Sequence, residues 1–362
     1  MTELSDLPLR DDLRGKKPYG APQLHVPIEL NVNENTHPVP DDAIEDILSR
    51  VRKALTSVNR YPDREFTELR TAFARYLGHG LTAEHIWAAN GSNEVLQHLL
   101  QAFGGPGRTA LGYVPTYSMY SLLASGTGTS WIPAPRAADY ALDSDTAIAA
   151  LDEHDPDIVM LCSPNNPTGT PLDIDVIRAV AERARGVVIV DEAYHEFAPD
   201  GTPSALGLIA DFPRLVVSRT MSKAFAFAGA RVGYLAADPA VCDALRLVRL
   251  PYHLSALTQA AALGALAHTT EMLAMVDEIR TQRDRLLREL AALGYAPHDS
   301  AANFVLFGNV AHPQQTFDRL LERGIIIRDV GIPNTLRVTA GTEAETTAFL
   351  TALAEVGEPL RA

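Results

Sequence analysis

Cysteine and positive charge are both scarce in this 362-residue chain. Only two cysteines occur, and Cys162 and Cys242 form no CxxC pair, so we expect neither a structural disulfide nor a thiol redox motif. Lys and Arg number 31 against 45 Asp and Glu, which gives a formal net charge of −14. Because nucleic-acid phosphates are bound by clustered Lys and Arg, this balance argues against a nucleic-acid-binding protein with a broad basic surface. Any anionic ligand must be bound by a local cluster of donors.

Long apolar runs and metal-binding patterns are also missing. No stretch approaches the roughly 18 uninterrupted apolar residues of a membrane span, and the opening MTELSDLPLRDDLRGKK lacks the apolar core of a signal peptide. We therefore expect a cytoplasmic protein. The eleven histidines form neither an HxxxH nor an HExxH pattern, so we expect no metal site. No GxGxxG opens a helix after an early strand, which argues against a nicotinamide-binding Rossmann enzyme.

Between residues 85 and 236, short apolar or β-branched runs alternate with segments of helical period. Such alternation predicts βαβ units around a largely parallel sheet. Runs such as DIVMLC and GVVIVD are apolar throughout, which is typical of strands covered by helices on both faces. After about residue 255 the pattern changes to long helical segments interspersed with NFVLF, GIIIRDV and TLRVT, which predict a smaller α+β domain. The first 30 residues, rich in Pro, Gly and charge, predict an arm laid over the body or over a partner subunit.

Lys223 lies directly after a strand-like apolar run, in the segment SRTMSKAFAFAGARVGY. Thr220 and Ser222 place hydroxyls beside it, and Arg231 follows eight positions later. A lone lysine at a strand-to-helix turn is most often an ordinary surface residue. Small hydroxyls and an arginine around one lysine, however, are what a site needs to hold a phosphate and to form an imine with an aldehyde cofactor. Pyridoxal phosphate fits that description.

Further polar residues follow other apolar strands. Asp191 ends GVVIVD, where a buried carboxylate needs a donor or a cation such as a pyridinium nitrogen; a helix cap or surface ion pair is the alternative. Asn166, in the turn of SPNNPTG, and Tyr194 can donate hydrogen bonds to a phenolate oxygen and so tune the pKa of the imine. Tyr117 in PTYSMY offers a flat face for a pyridine ring, although an ordinary core tyrosine is the alternative.

The segment GSNEVLQHLLQAF, residues 91–103, predicts a turn that opens a helix, with Ser92 or Asn93 as the N-cap. Free backbone N–H groups and the helix dipole favour an anion at such a terminus. Many helices begin in this way, so the pattern alone is weak. Together with the two hydroxyls beside Lys223 and with charge-assisted hydrogen bonds from Arg231, it predicts a phosphate site.

The motifs GSNE, PTYSMY, SPNNPTG, VDEAY and SRTMSKAFAFAGARVGY, in this order, resemble those of the fold-type I pyridoxal-phosphate aminotransferases over nearly the whole chain. The resemblance implies an α/β fold, with a mostly parallel seven-stranded sheet in a large domain and a smaller α+β domain. It implies an arm over residues 1–30, a large cofactor-binding domain over 45–255, and a small domain made of 31–44 and 256–362.

The resemblance also assigns roles to the candidate residues. Lys223 matches the Schiff-base lysine and Asp191 the partner of the pyridine nitrogen. Asn166 and Tyr194 match the phenolate donors, and Tyr117 matches the stacking aromatic residue. The residues that match the phosphate site are Ser92, Asn93, Thr220, Ser222 and Arg231.

Other matches concern the substrate and a second subunit. Tyr61, in NRYPD, matches a tyrosine that reaches the cofactor phosphate of the neighbouring subunit, which implies a homodimer with shared sites. Arg337, in LRVT, matches the arginine that binds the acidic group of the substrate. Strand alternation puts Arg337 on the face opposite its apolar neighbours, and a guanidinium can bind a carboxylate or a phosphate through two bonds. A surface strand residue is the alternative. Tyr19, Arg328 and Asn166 match further substrate contacts.

Within the superfamily, LNVNEN, NRYPD, PTYSMY, LVRLPYHLSALTQAAA and GIIIRDVG followed by LRVT are most similar to the histidinol-phosphate aminotransferase branch. This similarity implies transamination between L-histidinol phosphate and 2-oxoglutarate, which gives imidazole acetol phosphate and L-glutamate. The alternatives are an aromatic amino-acid aminotransferase on the same scaffold and a non-catalytic regulator that senses pyridoxal phosphate. One departure affects the substrate more than the cofactor: the segment from Asn33 to Pro38 reads NENTHP, whereas many relatives read NENPY.

Overall fold

The computed structural model describes residues 6–15, 20 and 23–360. The strands of these residues, in chain order, are β1 (Ile28–Glu29), β2 (Ile86–Ala89), β3 (Thr109–Val114), β4 (Ser130–Pro135), β5 (Ile158–Cys162), β6 (Val187–Asp191), β7 (Leu215–Thr220), β8 (Gly233–Ala237), β9 (Ala296–Pro297), β10 (Phe304–Gly308), β11 (Ile325–Ile326) and β12 (Leu336–Thr339). The α-helices are α1 (Asp41–Leu55), α2 (Thr67–Leu77), α3 (Ser92–Phe103), α4 (Met119–Thr127), α5 (Ser144–His154), α6 (Ile174–Arg183), α7 (Pro239–Val248), α8 (Ala256–Ala267), α9 (Thr269–Ala292), α10 (Pro313–Leu321) and α11 (Glu343–Val356).

A seven-stranded sheet with the order β2-β8-β7-β6-β5-β3-β4 forms the centre of the molecule. The pairs within β7-β6-β5-β3-β4 are parallel, and β8 is antiparallel to both of its neighbours, β2 and β7. Every residue of β5, β6, β7 and β8 is buried, which explains their apolar sequences. The predicted α/β fold with a mostly parallel seven-stranded sheet is confirmed.

The carboxyl-terminal part of the chain carries a second, smaller arrangement. Strands β12, β10 and β9 form an antiparallel sheet, and β1 pairs in parallel with β11. Leu30, directly after β1, donates to the carbonyl of Ile326 and its own carbonyl accepts from Thr339, so the chain passes from β1 to β12. This passage carries residues 31–33 towards the ends of the strands of the large sheet.

Some expectations on organisation stay predictions. The residue bounds of the arm and of the two domains are among them, and residues 1–5, 16–19, 21 and 22 of the expected arm lie outside the described residues. In the part of the chain that the structure describes, no helix combines the length and the apolar character needed to cross a bilayer. The cytoplasmic location also stays a prediction.

A buried ion pair joins the carboxyl ends of β6 and β7 on the sheet face opposite Asp191. Arg219 donates to Glu192 through Nη2 at 2.7 Å and through Nε at 3.1 Å, and its Nη1 lies 3.3 Å from Glu196 Oε1. Burial alone would raise the pKa of Glu192, but the guanidinium beside it holds that pKa below its usual value. Because side chains alternate along a strand, Ser218 and Thr220 point the other way. The ion pair therefore joins the two strand ends without occupying the face of the sheet to which Asp191, Ser218 and Thr220 point.

Candidate active site

A cavity of about 110 Å³ lies beyond the carboxyl ends of the parallel strands, where α/β proteins bind their ligands. The polar residues predicted from separate motifs come together in its wall, and Cys162 and Ala193 complete it. The predicted residues that line this cavity are Ser92, Asn93, Tyr117, Asn166, Asp191, Tyr194, Thr220, Ser222, Lys223 and Arg231. Among the predicted cofactor residues, only Tyr61 lies elsewhere.

Asp191 ends β6 at the floor of this cavity and is buried. Its Oδ2 accepts a hydrogen bond from the Tyr120 hydroxyl at 2.8 Å, and its Oδ1 accepts from Ser218 Oγ at 3.1 Å and from the Ala193 backbone N–H at 3.2 Å. Burial raises the pKa of Asp191, and these three donors oppose the rise. All three of these donors are neutral. A ligand with a cationic N–H group in the cavity would supply a positive charge beside the carboxylate.

The Tyr194 hydroxyl accepts two hydrogen bonds. Asn166 Nδ2 donates at 3.3 Å and Asn33 Nδ2 donates at 3.1 Å. Burial raises the pKa of Tyr194, so the hydroxyl keeps its hydrogen at neutral pH. Asn166 and Tyr194 thus lie side by side in the cavity wall, where both could donate a hydrogen bond to the same oxygen atom of a ligand.

Lys223 Nζ donates to the carbonyl oxygen of Val32 at 2.9 Å and lies 6.0 Å from the centre of the Tyr194 ring. Burial lowers the pKa of Lys223 to about 8, with a further contribution from Arg337, while Glu34 acts in the opposite direction. A lysine with this pKa has a substantial neutral fraction near neutrality, as a nucleophile or a general base requires.

The amino end of α3 faces the same cavity. The prediction of Ser92 or Asn93 as N-cap is wrong, because Gly91 occupies that position and no side chain caps the helix. Gly91 has a φ of +88°, and a Cβ there would collide with the guanidinium of Arg231; a Cβ at Gly233 would collide with the backbone N of Ser92. The two glycines thus let Arg231 and β8 pack closely on the helix terminus, whose first N–H groups have no intrahelical partner.

Hydroxyls lie beside this helix terminus. Thr220 Oγ1 accepts from the Ser222 backbone N–H at 3.1 Å, and Ser222 Oγ lies 3.4 Å from Arg231 Nη1. Tyr117 spans the other side of the cavity, with its hydroxyl 3.3 Å from Asn93 Oδ1 and its ring edge-on to Tyr120 at 5.5 Å between ring centres. Amides, hydroxyls and one guanidinium therefore surround one end of the cavity, which is the donor set that binds a phosphate.

A second cavity of about 450 Å³ adjoins the first and shares Tyr117, Asn166, Tyr194 and Lys223 with it. Arg328 and Arg337 also line it, as do residues 31–33. Arg337 is buried, donates to Asn166 Oδ1 at 2.6 Å and to the Asn31 carbonyl at 2.8 Å, and lies over the Phe304 ring at 5.1 Å. Two arginines therefore face a space that opens onto Lys223.

Two predicted residues lie outside these cavities. Tyr61 is 79% exposed and stacks on Tyr252, with 4.4 Å between ring centres. Tyr19 lies outside the described residues. The roles assigned to all the predicted site residues stay predictions.

Sequence reasoning missed three neighbours of the cavity. Tyr120 follows Tyr117 by three residues, and its backbone N–H donates to the Tyr117 carbonyl in the turn that opens α4, so this spacing was the available signal. Ser218 pairs in register with Asp191 across β6 and β7. Asn33 reaches Tyr194 from 161 positions away, and only its place in LNVNEN drew attention to it.

Comparisons with known proteins agree with this geometry. The family model for class I and II aminotransferases matches residues 26–353. The histidinol-phosphate aminotransferase of Paenarthrobacter aurescens is 62% identical, with 98% of this chain and 96% of that protein covered, and the one of Thermobifida fusca is 56% identical, with coverage of 97% and 95%. The crystal structure of histidinol-phosphate aminotransferase from Sinorhizobium meliloti in complex with pyridoxal-5'-phosphate has a TM-score of 0.82 at 28% identity and 91% coverage of both chains. The chain therefore belongs to the family of class I and II aminotransferases.

Proposed function

We propose that this protein uses pyridoxal phosphate to transfer an amino group between L-histidinol phosphate and 2-oxoglutarate, giving imidazole acetol phosphate and L-glutamate, a step of histidine biosynthesis. The names of its relatives at 62% and 56% identity support the substrate pair. The geometry adds one observation that carries the proposal: Lys223 and Arg337 line the same cavity of about 450 Å³. A reactive amine and an anion-binding group can therefore act on one substrate.

The residues around the smaller cavity fit pyridoxal phosphate by their chemistry. The buried Asp191 carboxylate would bind the protonated ring nitrogen, and Asn166 and Tyr194 would donate to the phenolate oxygen. Tyr117 would stack on the ring, and Lys223 would bind the aldehyde carbon. The phosphate would lie at the amino end of α3, where Gly91 lets Arg231 approach closely and where Arg231 and Ser222 meet.

When bound, pyridoxal phosphate supplies an electron sink that makes the substrate's α C–H bond breakable. Lys223 Nζ, as a neutral amine, would take the proton from the substrate's α carbon and pass it on to the former aldehyde carbon of the cofactor. The pKa of about 8 keeps part of this amine neutral near neutral pH. Asp191, fixed by Tyr120 and Ser218, remains in place to hold a proton on the ring nitrogen.

The guanidinium of Arg337 serves both substrates of the proposed reaction. Carboxylate and phosphate oxygens both match the fork of N–H donors, and the same arginine can hold a carboxylate of glutamate or the phosphate of histidinol phosphate. Arg328 lines the cavity beside it, since the two residues bond to each other through their backbones at 2.8 and 2.9 Å. A second cation is thus available for a group with two negative charges.

A substrate panel tests the proposed function. Protein loaded with pyridoxal phosphate is assayed with histidinol phosphate and, in parallel, with phenylalanine, each with 2-oxoglutarate as amino acceptor. We expect kcat/KM for histidinol phosphate to exceed that for phenylalanine by at least about 100-fold, because phenylalanine offers a singly charged carboxylate where Arg337 and Arg328 can both bind a phosphate with two negative charges. A preference for phenylalanine would assign the protein to the aromatic branch, and the absence of any transamination would overturn the proposal.

A homodimer with shared sites is a further part of the proposal. Tyr61 and the nearby Tyr252, Leu247 and Leu250 form an exposed apolar surface, with 79%, 38%, 86% and 76% of each residue accessible. Large contiguous apolar surfaces of this kind mark protein interfaces. Because Tyr61 does not line the cavity of its own subunit, we propose that a second copy covers this surface and that Tyr61 contributes to the cavity of that copy.

Mixing two inactive variants tests whether Tyr61 acts across the interface. Lys223→Ala and Tyr61→Ala proteins are unfolded and refolded together in equal amounts. In a hybrid dimer, one site then combines Lys223 of one subunit with Tyr61 of the other, so about a quarter of all sites regain wild-type activity by random pairing. Each variant refolded alone is the control. No gain on mixing, although hybrids form, would show that Tyr61 serves its own subunit or none.

A further inference from the structure

Asn33 is held by four hydrogen bonds in a buried, left-handed turn. Its φ is +57°, a conformation that asparagine tolerates better than most residues, and 1% of its surface is exposed. Its backbone N–H donates to Thr339 Oγ1 at 3.1 Å, and its backbone carbonyl accepts from Asn303 Nδ2 at 3.1 Å. Its side chain lies between Thr339, at 3.2 Å, and Tyr194, at 3.1 Å.

The hydrogen-bond partners fix which end of the Asn33 amide faces which neighbour. Thr339 Oγ1 already accepts the backbone N–H of Asn33, so its single hydrogen is available to donate to Asn33 Oδ1. The amide nitrogen must then face Tyr194. Asn166 is oriented in the same way, because Arg337 donates to its Oδ1 at 2.6 Å and leaves Nδ2 for Tyr194.

Both amides therefore donate to one hydroxyl. A tyrosine hydroxyl has one hydrogen to give and accepts through its lone pairs, and the two amide N–H groups occupy this accepting capacity. Within residues 6–15, 20 and 23–360, no acceptor takes the hydrogen of Tyr194. The direction left for it is the space formed by the two adjoining cavities, both of which Tyr194 lines.

We propose that Asn33 is a positioning residue: by donating to Tyr194, it forces the Tyr194 hydroxyl to donate its own hydrogen to the ligand in the cavity. The inference rests on the proposed function, in which that ligand atom is the phenolate oxygen of pyridoxal phosphate. Asn33 is itself anchored to β12 by Thr339 and, through Asn303, to the residue before β10. Residues of the small sheet and its neighbourhood thereby set the direction in which the Tyr194 hydroxyl, three residues after β6, donates its hydrogen.

The direction of this hydrogen bond has a spectroscopic consequence. A hydrogen bond to the phenolate stabilises its negative charge and so weakens its hold on the proton of the neighbouring nitrogen that joins Lys223 to the cofactor. When the Asn33 amide is deleted, the Tyr194 hydrogen is free to turn away from the phenolate. The pH midpoint at which the absorbance of the bound cofactor titrates is then expected to rise.

The experiment is a pH titration of cofactor absorbance in wild-type, Asn33→Gly, Tyr194→Phe and doubly substituted protein, all loaded with pyridoxal phosphate. Glycine accepts the φ of +57° and keeps both backbone hydrogen bonds of position 33. We expect Asn33→Gly to raise the midpoint by about one pH unit, in the direction of Tyr194→Phe. The double variant is expected to titrate like Tyr194→Phe alone, because Asn33 acts through that hydroxyl.

Two further variants keep the result interpretable. Asn309→Gly removes another asparagine at positive φ, 62°, from an exposed position, and is expected to leave the midpoint unchanged. Asn33→Asp keeps the acceptor for Thr339 but replaces the donor to Tyr194 by an acceptor, so the midpoint is again expected to rise; this variant serves if Asn33→Gly does not fold. Shifts that add up in the double variant, or a wild-type midpoint in Asn33→Gly and in Asn33→Asp, would overturn the inference. A wild-type protein that binds no pyridoxal phosphate would instead overturn the proposed function.

Discussion

Lys223→Ala is expected to lower the rate of transamination by a factor of about 10⁴ or more and to leave the fold intact. Proton transfer by a positioned general base is typically worth about 10² to 10⁴, and the covalent bond to the cofactor is lost in addition. The fold is expected to survive because Lys223 Nζ makes one hydrogen bond to the described residues, with the Val32 carbonyl, and water can enter the cavity beside that carbonyl when the amine is removed. Circular dichroism and thermal unfolding check the fold.

The environment of Lys223 also predicts how activity depends on pH. Burial lowers its pKa to about 8, from a value of 10.5 for an unperturbed lysine. The neutral amine is the active base, so its fraction at pH 7 increases roughly 300-fold relative to an unperturbed lysine. Because a base is effective only when deprotonated, the rate of the proton transfer should rise with pH up to about 8 and then level off. Single-turnover rates measured from pH 6 to 9 would show this rise and the plateau that follows it.

Lys53→Ala is the matched control for the lysine substitution, because Lys53 is exposed on α1 and lines neither cavity. Its activity is expected to equal that of the wild type. Reduction of the loaded protein with borohydride, followed by digestion and mass spectrometry, should place the cofactor on the peptide that contains Lys223. If the adduct formed on another lysine, or if Lys223→Ala kept more than about a hundredth of the activity, Lys223 would not hold the role proposed here.

Lys223 and Asp191 could be predicted because each follows an apolar strand, and the ends of parallel strands meet at one edge of a sheet. The strand pattern therefore gave both the fold class and the edge at which the polar residues gather. Arg337 could be predicted to face away from Leu336 and Val338 for a similar reason, the alternation of side chains along a strand. For such residues, the local pattern of apolar and polar side chains is sufficient to predict where they lie in the fold.

Asn33 and Gly91 show where local reasoning fails. The role of Asn33 depends on Thr339 and Tyr194, which lie 306 and 161 positions away, and no periodicity relates such residues. Ser92 or Asn93 would be a normal N-cap by sequence preference, but the close approach of Arg231 requires a glycine at the start of the helix, and Gly91 takes that position. Contacts distant in sequence decide both cases.

The second large effect concerns Arg337. Arg337→Ala is expected to lower kcat/KM for L-glutamate and for histidinol phosphate together, by about 10² to 10³ each, because truncating a buried charged partner typically costs about 2–5 kcal/mol. Arg337 is 7% exposed, and its guanidinium is oriented by Asn166, the Asn31 carbonyl and the Phe304 ring, so the charge is largely desolvated and already held in place for an anion. Steady-state kinetics with each substrate in turn measure the two losses.

Arg337 also orients the Asn166 amide, so its removal can act on the cofactor as well as on the substrate. The absorbance titration of the loaded Arg337→Ala protein separates the two effects: an unchanged midpoint assigns the loss to substrate binding. Arg328→Ala is the matched comparison, since Arg328 lines the same cavity but has no side-chain hydrogen bond to Asn166 in the part of the chain described. If Arg337→Ala impaired one substrate and spared the other, the two anions would have separate anchors. Arg328 would then be the first candidate for the second anchor, because a phosphate with two negative charges gains more from an additional cation than a carboxylate does.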